Sequence, residues 1–217
     1  YSITPTGNPF EFYRFDEKLG WSNTPFSTGV FVRDEFSYKI FINEFGMRGK
    51  SLTLKKPEGV FRIAFLGDSY VWGIGVSDQQ RFTDIVGELP GVESLNFAVS
   101  GYSPVQYYLQ LDTVLKFDPD LVVMAFCLNT DFADNVMQER YGYYKPYFIL
   151  DKNSNELRLS GNPIRNIKKF GPRKIKFFDR LYLRSFMLQT IHARLKSFFT
   201  DSAGLKYFKD KDVYCGC

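Results

Sequence analysis

Residues 61–75 read FRIAFLGDSYVWGIG, and this segment constrains the fold more than any other. An apolar run, Ile63-Ala64-Phe65-Leu66, stops abruptly at Gly67-Asp68-Ser69, and an aromatic stretch with two further glycines follows. The pattern predicts a strand that delivers one serine to the carboxyl edge of a sheet, at a tight turn into a helix. A serine so placed is exposed at the strand end, with its own backbone N–H facing the space where an oxyanion forms. That points to an ester-cleaving or acyl-transferring serine.

The rest of the chain supports a sheet around this strand. The pattern alternates between strand and helix from residue 61 to 126. Phe82, Ile85, Val86 and Leu89 recur at helical spacing and stop at Pro90-Gly91. A second strand is expected over Ser94–Val99, closing on Ser100-Gly101-Tyr102. The next helix runs from about Pro104 to Phe117, with Val105, Tyr108, Leu109, Leu111 and Leu115 as its apolar positions. Pro104 suits a first-turn site and Asp118-Pro119-Asp120 ends the helix. The third strand, Leu121 to Phe126, is continuously apolar, as a central parallel strand buried on both faces would be. Such alternation predicts an α/β, doubly wound parallel sheet.

Residues 1–60 read as an N-terminal β-rich segment, with strand character at Phe31-Val32 and Tyr38–Asn43 and a turn at Gly46 to Gly49. Residues 61–135 read as the α/β core, and residues 136–217 as a hairpin and helical extension. In the last part, Phe148-Ile149-Leu150 and Leu157-Arg158-Leu159 form the two arms of a hairpin, and residues 174–199 are expected to be helical. Three parallel strands are few for such a core.

At 217 residues the chain fits one domain with a small elaboration. The net charge of +4 is mild, and the Lys168-Lys169 and Arg173-Lys174 pairs suit a solvated helix face. No nucleic-acid motif accompanies them, so no nucleic-acid partner is expected. No apolar run approaches the roughly 18 residues that span a membrane. The chain opens on Tyr1 rather than Met, so it is read as a processed or trimmed form from which an upstream targeting segment is expected to have been removed. Of three cysteines, Cys127 is expected to be a buried thiol. Cys215 and Cys217 could ligate metal, bond to another chain or sit as a free tail; a zinc site needs about four ligands, so no metal site is expected. Gly73 and Gly75 lack the full glycine pattern of a phosphate loop and its lysine, so no nucleotide or other cofactor is expected. The aromatic fraction of 18% mostly serves the core. Tyr141, Tyr143, Tyr144 and Tyr147 suit a sugar-stacking platform, a protein interface or packing alike.

All three predicted strand ends carry polar or glycine-rich turns: Gly67-Asp68-Ser69, Ser100-Gly101, and Asn129-Thr130-Asp131 followed by Asp134-Asn135. In open α/β sheets, ligands bind at the carboxyl ends of the strands. Taken in order, these blocks resemble the SGNH/GDSL hydrolase family over roughly residues 38–135. Gly67-Asp68-Ser69 resembles its first block, with Ser69 as nucleophile. Asn96-Phe97-Ala98-Val99-Ser100-Gly101 resembles the second, whose glycine N–H lines the oxyanion hole. Asp120 to Phe126 leads to the third. Ile42-Asn43-Glu44-Phe45-Gly46-Met47-Arg48-Gly49 is similar to a segment of extracytoplasmic bacterial members, which often act on O-acetylated glycans or other small esters.

The resemblance implies a flavodoxin-like fold of SGNH type, incomplete at the C-terminus. It implies an extracytoplasmic site of action, an ester or glycan substrate, and an oxyanion held by Ser69 N–H, Gly101 N–H and Asn129. Asp68 would shape the serine turn. Two departures qualify it. Where relatives read Gly-Asn-Asp, this chain reads Asn129-Thr130-Asp131, so either Asn129 reaches in from a displaced position or Thr130 donates a weaker bond. Losing one such donor costs about 10²–10³ in rate. Asp131 and Asp134 suit turn or cap positions better than a metal site. The family's final Asp-x-x-His block is also missing: the single histidine, His192, follows Gln189 at that spacing. Without a base, a serine hydroxyl is a poor nucleophile. Three accounts stay open: a fragment whose remainder carries the His–Asp pair, a non-catalytic scaffold that binds glycan or assembles with partners through its aromatic-rich C-terminal region, or a site completed by a second chain.

Overall fold

The computed structural model describes residues 5–6, 12–32 and 36–165. The expected helix over 174–199, His192, Cys215 and Cys217, and the basic pairs near 168 and 173 lie outside these residues. The described residues belong to the unit spanning residues 1–169.

The first part is built of short strands. β1 (Pro5–Thr6) pairs in parallel with β4 (Thr28–Val32), which pairs antiparallel with β5 (Ser37–Phe41), while β2 (Tyr13–Asp16) and β3 (Gly20–Asn23) form a separate hairpin. In β5 the period of two is clean, with Tyr38 and Ile40 buried between exposed Ser37, Lys39 and Phe41. The turn that follows is organised by Asn43, whose Oδ1 accepts the N–H groups of Phe45 and Met47 at 3.0 Å each.

Next come β6 (Phe61–Leu66), α1 (Ser69–Trp72), α2 (Phe82–Gly87), β7 (Val92–Asn96), α3 (Pro104–Val114), β8 (Leu121–Met124) and α4 (Asp131–Asp134). β6, β7 and β8 form a three-stranded parallel sheet in the order β7-β6-β8. Two hairpins close the described chain: β9 (Glu139–Arg140) with β10 (Tyr143–Tyr144), and β11 (Tyr147–Asp151) with β12 (Glu156–Ser160). The chain is therefore of mixed α/β character, with one parallel sheet and several small antiparallel ones. No described helix is long and apolar enough to cross a membrane.

α3 begins as expected. Ser103 is its N-cap in a capping box with Gln106, and Pro104 occupies the first turn, where its missing N–H costs nothing. Three expectations are corrected. β8 is an edge strand among the described residues rather than a central one, and Leu121 and Met124 are each 44% exposed. An apolar run states what a strand tolerates; its neighbours decide where it lies. β7 ends at Asn96 instead of continuing to Val99, because the Asn96 side chain accepts the Ala98 N–H at 3.0 Å and turns the chain. The buried face of α3 is Val105, Gln106, Tyr107 and Val114, whereas Tyr108 and Leu115 are exposed. Gln106 tolerates burial because it donates to the Leu19 carbonyl and accepts from the Ser103 N–H.

Three buried arginines, Arg48, Arg62 and Arg81, link the β-rich segment to the α/β part, Arg81 by donating to the Arg48 carbonyl at 2.9 Å. Arg62, inside β6, donates to the carbonyls of Thr53, Leu54 and Phe117 and pairs with Glu93 at 2.6 Å. Arg48 grips the end of α1 through the Trp72 and Gly73 carbonyls.

Candidate active site

β6 is the central strand, and its chain leaves the sheet at Gly67 into the turn that starts α1. Asp68 is the N-cap of α1: its Oδ1 accepts the Tyr70 N–H at 2.9 Å, in the role expected of it. Ser69 is the first helical residue and, contrary to the exposed serine expected, is largely buried, because the turn is packed between its neighbours. Among the described residues its Oγ has no hydrogen-bond partner. Gly73 ends the helix in the left-handed conformation at φ +87, its N–H bonded to the Ser69 carbonyl at 3.0 Å.

The turns after β7 and β8 lie on either side of this one. The Val99 N–H donates to the Gly67 carbonyl at 3.3 Å, and the Ala125 N–H to the Leu66 carbonyl at 2.9 Å. Asn96 ties the β7 turn to the serine helix, since its Nδ2 donates to the Val71 carbonyl at 2.6 Å and to Thr83 Oγ1 at 3.0 Å. Gly101 stands at φ +78, a conformation that disfavours other residues, and a Cβ there would collide with the ring of Tyr141.

Trp21 of β3 holds the Gly101 turn from behind. Its Nε1 donates to the Ser100 carbonyl at 3.1 Å, its own carbonyl accepts the Tyr102 hydroxyl, and its ring meets Tyr102 edge-on at 5.6 Å. Tyr107 extends the link to the third turn. Its hydroxyl donates to the Tyr102 carbonyl at 3.2 Å and lies 3.5 Å from Asp131 Oδ2, which also accepts the Cys127 N–H at 2.9 Å. A buried aromatic and one carboxylate thereby set the spacing of two candidate oxyanion loops.

In the third turn the expected residues diverge. Asn129 is exposed in the turn at 128–130, and Thr130 is the N-cap of α4 without a side-chain capping bond. Asp131 and Asp134 are both buried and serve the protein. Asp134 pairs with Arg140 at 2.5 Å, while its carbonyl accepts the buried Lys145 Nζ at 2.6 Å. Cys127, expected to be buried, is a half-buried free thiol. Among the described residues no cluster of metal-ligating side chains occurs.

The charges explain each other. Burial pushes the Asp131 carboxyl up to about 6, helped by the negative charges of Asp68 and Asp134 and opposed by the Cys127 N–H. Burial also raises Asp68 and Asp134, with Arg140 opposing in both cases. Burial brings the Lys145 ammonium down to about 8, against the attraction of Asp134.

A pH dependence follows with a definite sign. An unfolded Asp titrates near ~3.9. Between that value and about 6 the folded chain keeps a proton that the unfolded chain has released. The stability contributed by Asp131 is therefore greatest at low pH, falls as pH rises through this window, and is level above it. Urea midpoints of the native chain and Asp131→Asn, compared from about pH 4 to 7, should show the native chain losing ground to the variant. A constant difference across that range would refute this.

Sequence reasoning singled out Ser69, Gly101 and Asp68 at these turns. It named Asn96 only within the second block and missed its tie to the serine helix, and it missed Trp21, Tyr107 and Arg140, whose roles arise from contacts made across the fold. No protein-family model matches the chain, and no curated protein sequence matches it.

Proposed function

We propose that this chain is an SGNH-like serine esterase or acyltransferase acting on O-acyl esters, O-acetyl esters of glycans among them, outside the cytoplasm. The observation that carries the reading is the placement of Ser69. It opens a helix at the carboxyl end of the central parallel strand, its Oγ is unengaged by described residues, and a left-handed glycine ends the turn after the neighbouring strand. In this reading Oγ attacks the ester carbonyl, and the Ser69 and Gly101 N–H groups hold the oxyanion, with Asn129 or Thr130 as third donor. The proton from Oγ passes to a His–Asp pair supplied from outside this chain, whose single histidine lacks the aspartate three residues before it.

The order β7-β6-β8 supports the flavodoxin-like, doubly wound sheet that the reading includes, because it is the 2-1-3 start of that order. The next strand in that order would pair with β8, whose end residues Leu121 and Met124 are exposed. A second reading, a non-catalytic scaffold that binds glycan or assembles with partner chains, is favoured by one observation: Asn129 is exposed in its turn.

A fluorophosphonate probe separates the two. The expected result is one covalent adduct on the longest natural form of the protein, read by intact mass and lost in Ser69→Ala. Because Oγ bonds to no described residue, that variant should keep the native unfolding midpoint. Absence of any adduct would overturn the catalytic reading and leave the scaffold.

A further inference from the structure

The β9–β10 hairpin touches the turns after β7 and β8 and acts electrostatically on the third, the serine turn. Arg140 pairs with Asp134 of α4 and acts on the charge of Asp68 beside the serine, while the Tyr141 ring packs against Gly101. The hairpin turns on two residues of positive φ, Tyr141 at +53 and Gly142 at +80. Two-residue turns of this kind favour Asn-Gly or Asp-Gly, so a tyrosine in the first place is held against its local preference. Such strain persists where the surroundings over-determine it, and it clusters at functional sites. The surroundings here are firm. The Arg140 guanidinium lies 5.0 Å from the Tyr141 ring, Tyr143 packs on Trp21 at 5.6 Å, and the Tyr144 carbonyl presses on Gly20.

We infer that Tyr141 is a specificity-determining residue whose ring walls the acyl side of the site, admitting acetyl-sized groups and excluding longer acyl chains. This rests on the esterase reading above. If Gly101 N–H holds the oxyanion, the carbonyl carbon lies roughly 4 Å from that nitrogen, since the donor–oxyanion distance is about 3 Å. A ring in contact with the Gly101 backbone then borders the substituents of that carbon. The alcohol departs after the first step, whereas the acyl group stays beside the oxyanion donors through both half-reactions. A wall anchored to the oxyanion glycine therefore acts on the acyl chain.

The test compares kcat/KM for p-nitrophenyl acetate, butyrate and octanoate in the native protein, Tyr141→Asn and Tyr141→Phe, each beside Ser69→Ala. Asparagine suits the turn better than tyrosine, so that variant removes the ring without disfavouring the hairpin. The acetate-to-octanoate ratio should fall by about tenfold or more in Tyr141→Asn, since one methylene in an apolar pocket is worth about 10–200-fold. It should stay near native in Tyr141→Phe. Ser69-dependent hydrolysis with an unchanged ratio would overturn this inference and leave the esterase reading intact. A change of equal size for all three esters in Tyr141→Asn would overturn the acyl assignment. Absence of Ser69-dependent hydrolysis in all forms would overturn the esterase reading and the inference with it.

Discussion

Arg48→Ala is expected to lower the unfolding free energy by about 3 kcal/mol or more, because it takes the donor from three backbone carbonyls, each costing roughly 1–3 kcal/mol if left buried and unsatisfied. Arg48 is 2% exposed and lies between two aromatic faces, its guanidinium 4.6 Å from the Tyr38 ring and 4.7 Å from that of Trp72. Nη1 donates to the carbonyls of Trp72 at 3.3 Å and Gly73 at 2.6 Å, and Nη2 to that of Val76 at 2.8 Å. These are carbonyls at the end of the serine helix and just beyond it, and helix-end carbonyls need a partner when buried. The Asp78 carboxylate lies 2.8 Å from Nε, in an ion pair without hydrogen-bond alignment.

Two further variants show which effect dominates. Asp78 is one-third exposed, so Asp78→Asn should cost about 1 kcal/mol or less. Arg48→Lys keeps the charge but loses the planar fork and should fall between the other two. Urea midpoints read all three. Equal losses in Asp78→Asn and Arg48→Ala would show that the ion pair, and not the grip on the helix end, carries the energy.

Gly101→Ala is the second large effect, and it combines two costs. At φ +78 any side chain meets left-handed backbone strain of about 1–2 kcal/mol. The new methyl also drives into the Tyr141 ring, and overpacking of this kind costs about 1–3 kcal/mol. The expected loss is about 2–5 kcal/mol in all, by simple addition of the two ranges. Adding Tyr141→Gly removes the ring and should recover the second part but not the first. A double-mutant cycle on urea midpoints reads that coupling directly. No recovery in the double variant would mean that the backbone carries the whole cost. On the esterase reading, Gly101→Ala should also depress Ser69-dependent turnover, because the displaced backbone carries an oxyanion N–H.

Much of the central architecture was legible in the residues. The stop from Ile63–Leu66 to Gly67-Asp68-Ser69 announced a strand that ends on a serine, and β6 with α1 forms there. Pro104 announced the start of α3, and the arms around Asp151–Asn155 announced the β11–β12 hairpin. These features are local: a cap, a turn or a change of hydrophobic period acts within a few residues, so the sequence displays it directly.

What escaped were the features that depend on partners. The apolar run at 121–126 looked central, yet β8 has one strand neighbour among the described residues. Asp131 and Asp134 read as turn or cap residues, and their burial with Tyr107 and Arg140 came only with the fold. Tyr141 was one of several tyrosines with no assigned place. Arg48, 24 residues from Trp72 in sequence, could not announce that it would clamp the serine helix.

The sequence by itself determined the strand, the turn and the serine at its end, because short-range backbone preferences and the pattern of apolar residues are written residue by residue. Only the tertiary structure decided which long-range neighbours surround that serine: Trp21 behind Gly101, Tyr141 against it, and Asp131 raised toward neutrality by burial. The reason is physical. Burial, and the charge and packing that follow from it, belong to a point in space, and distant segments of the chain create that point together.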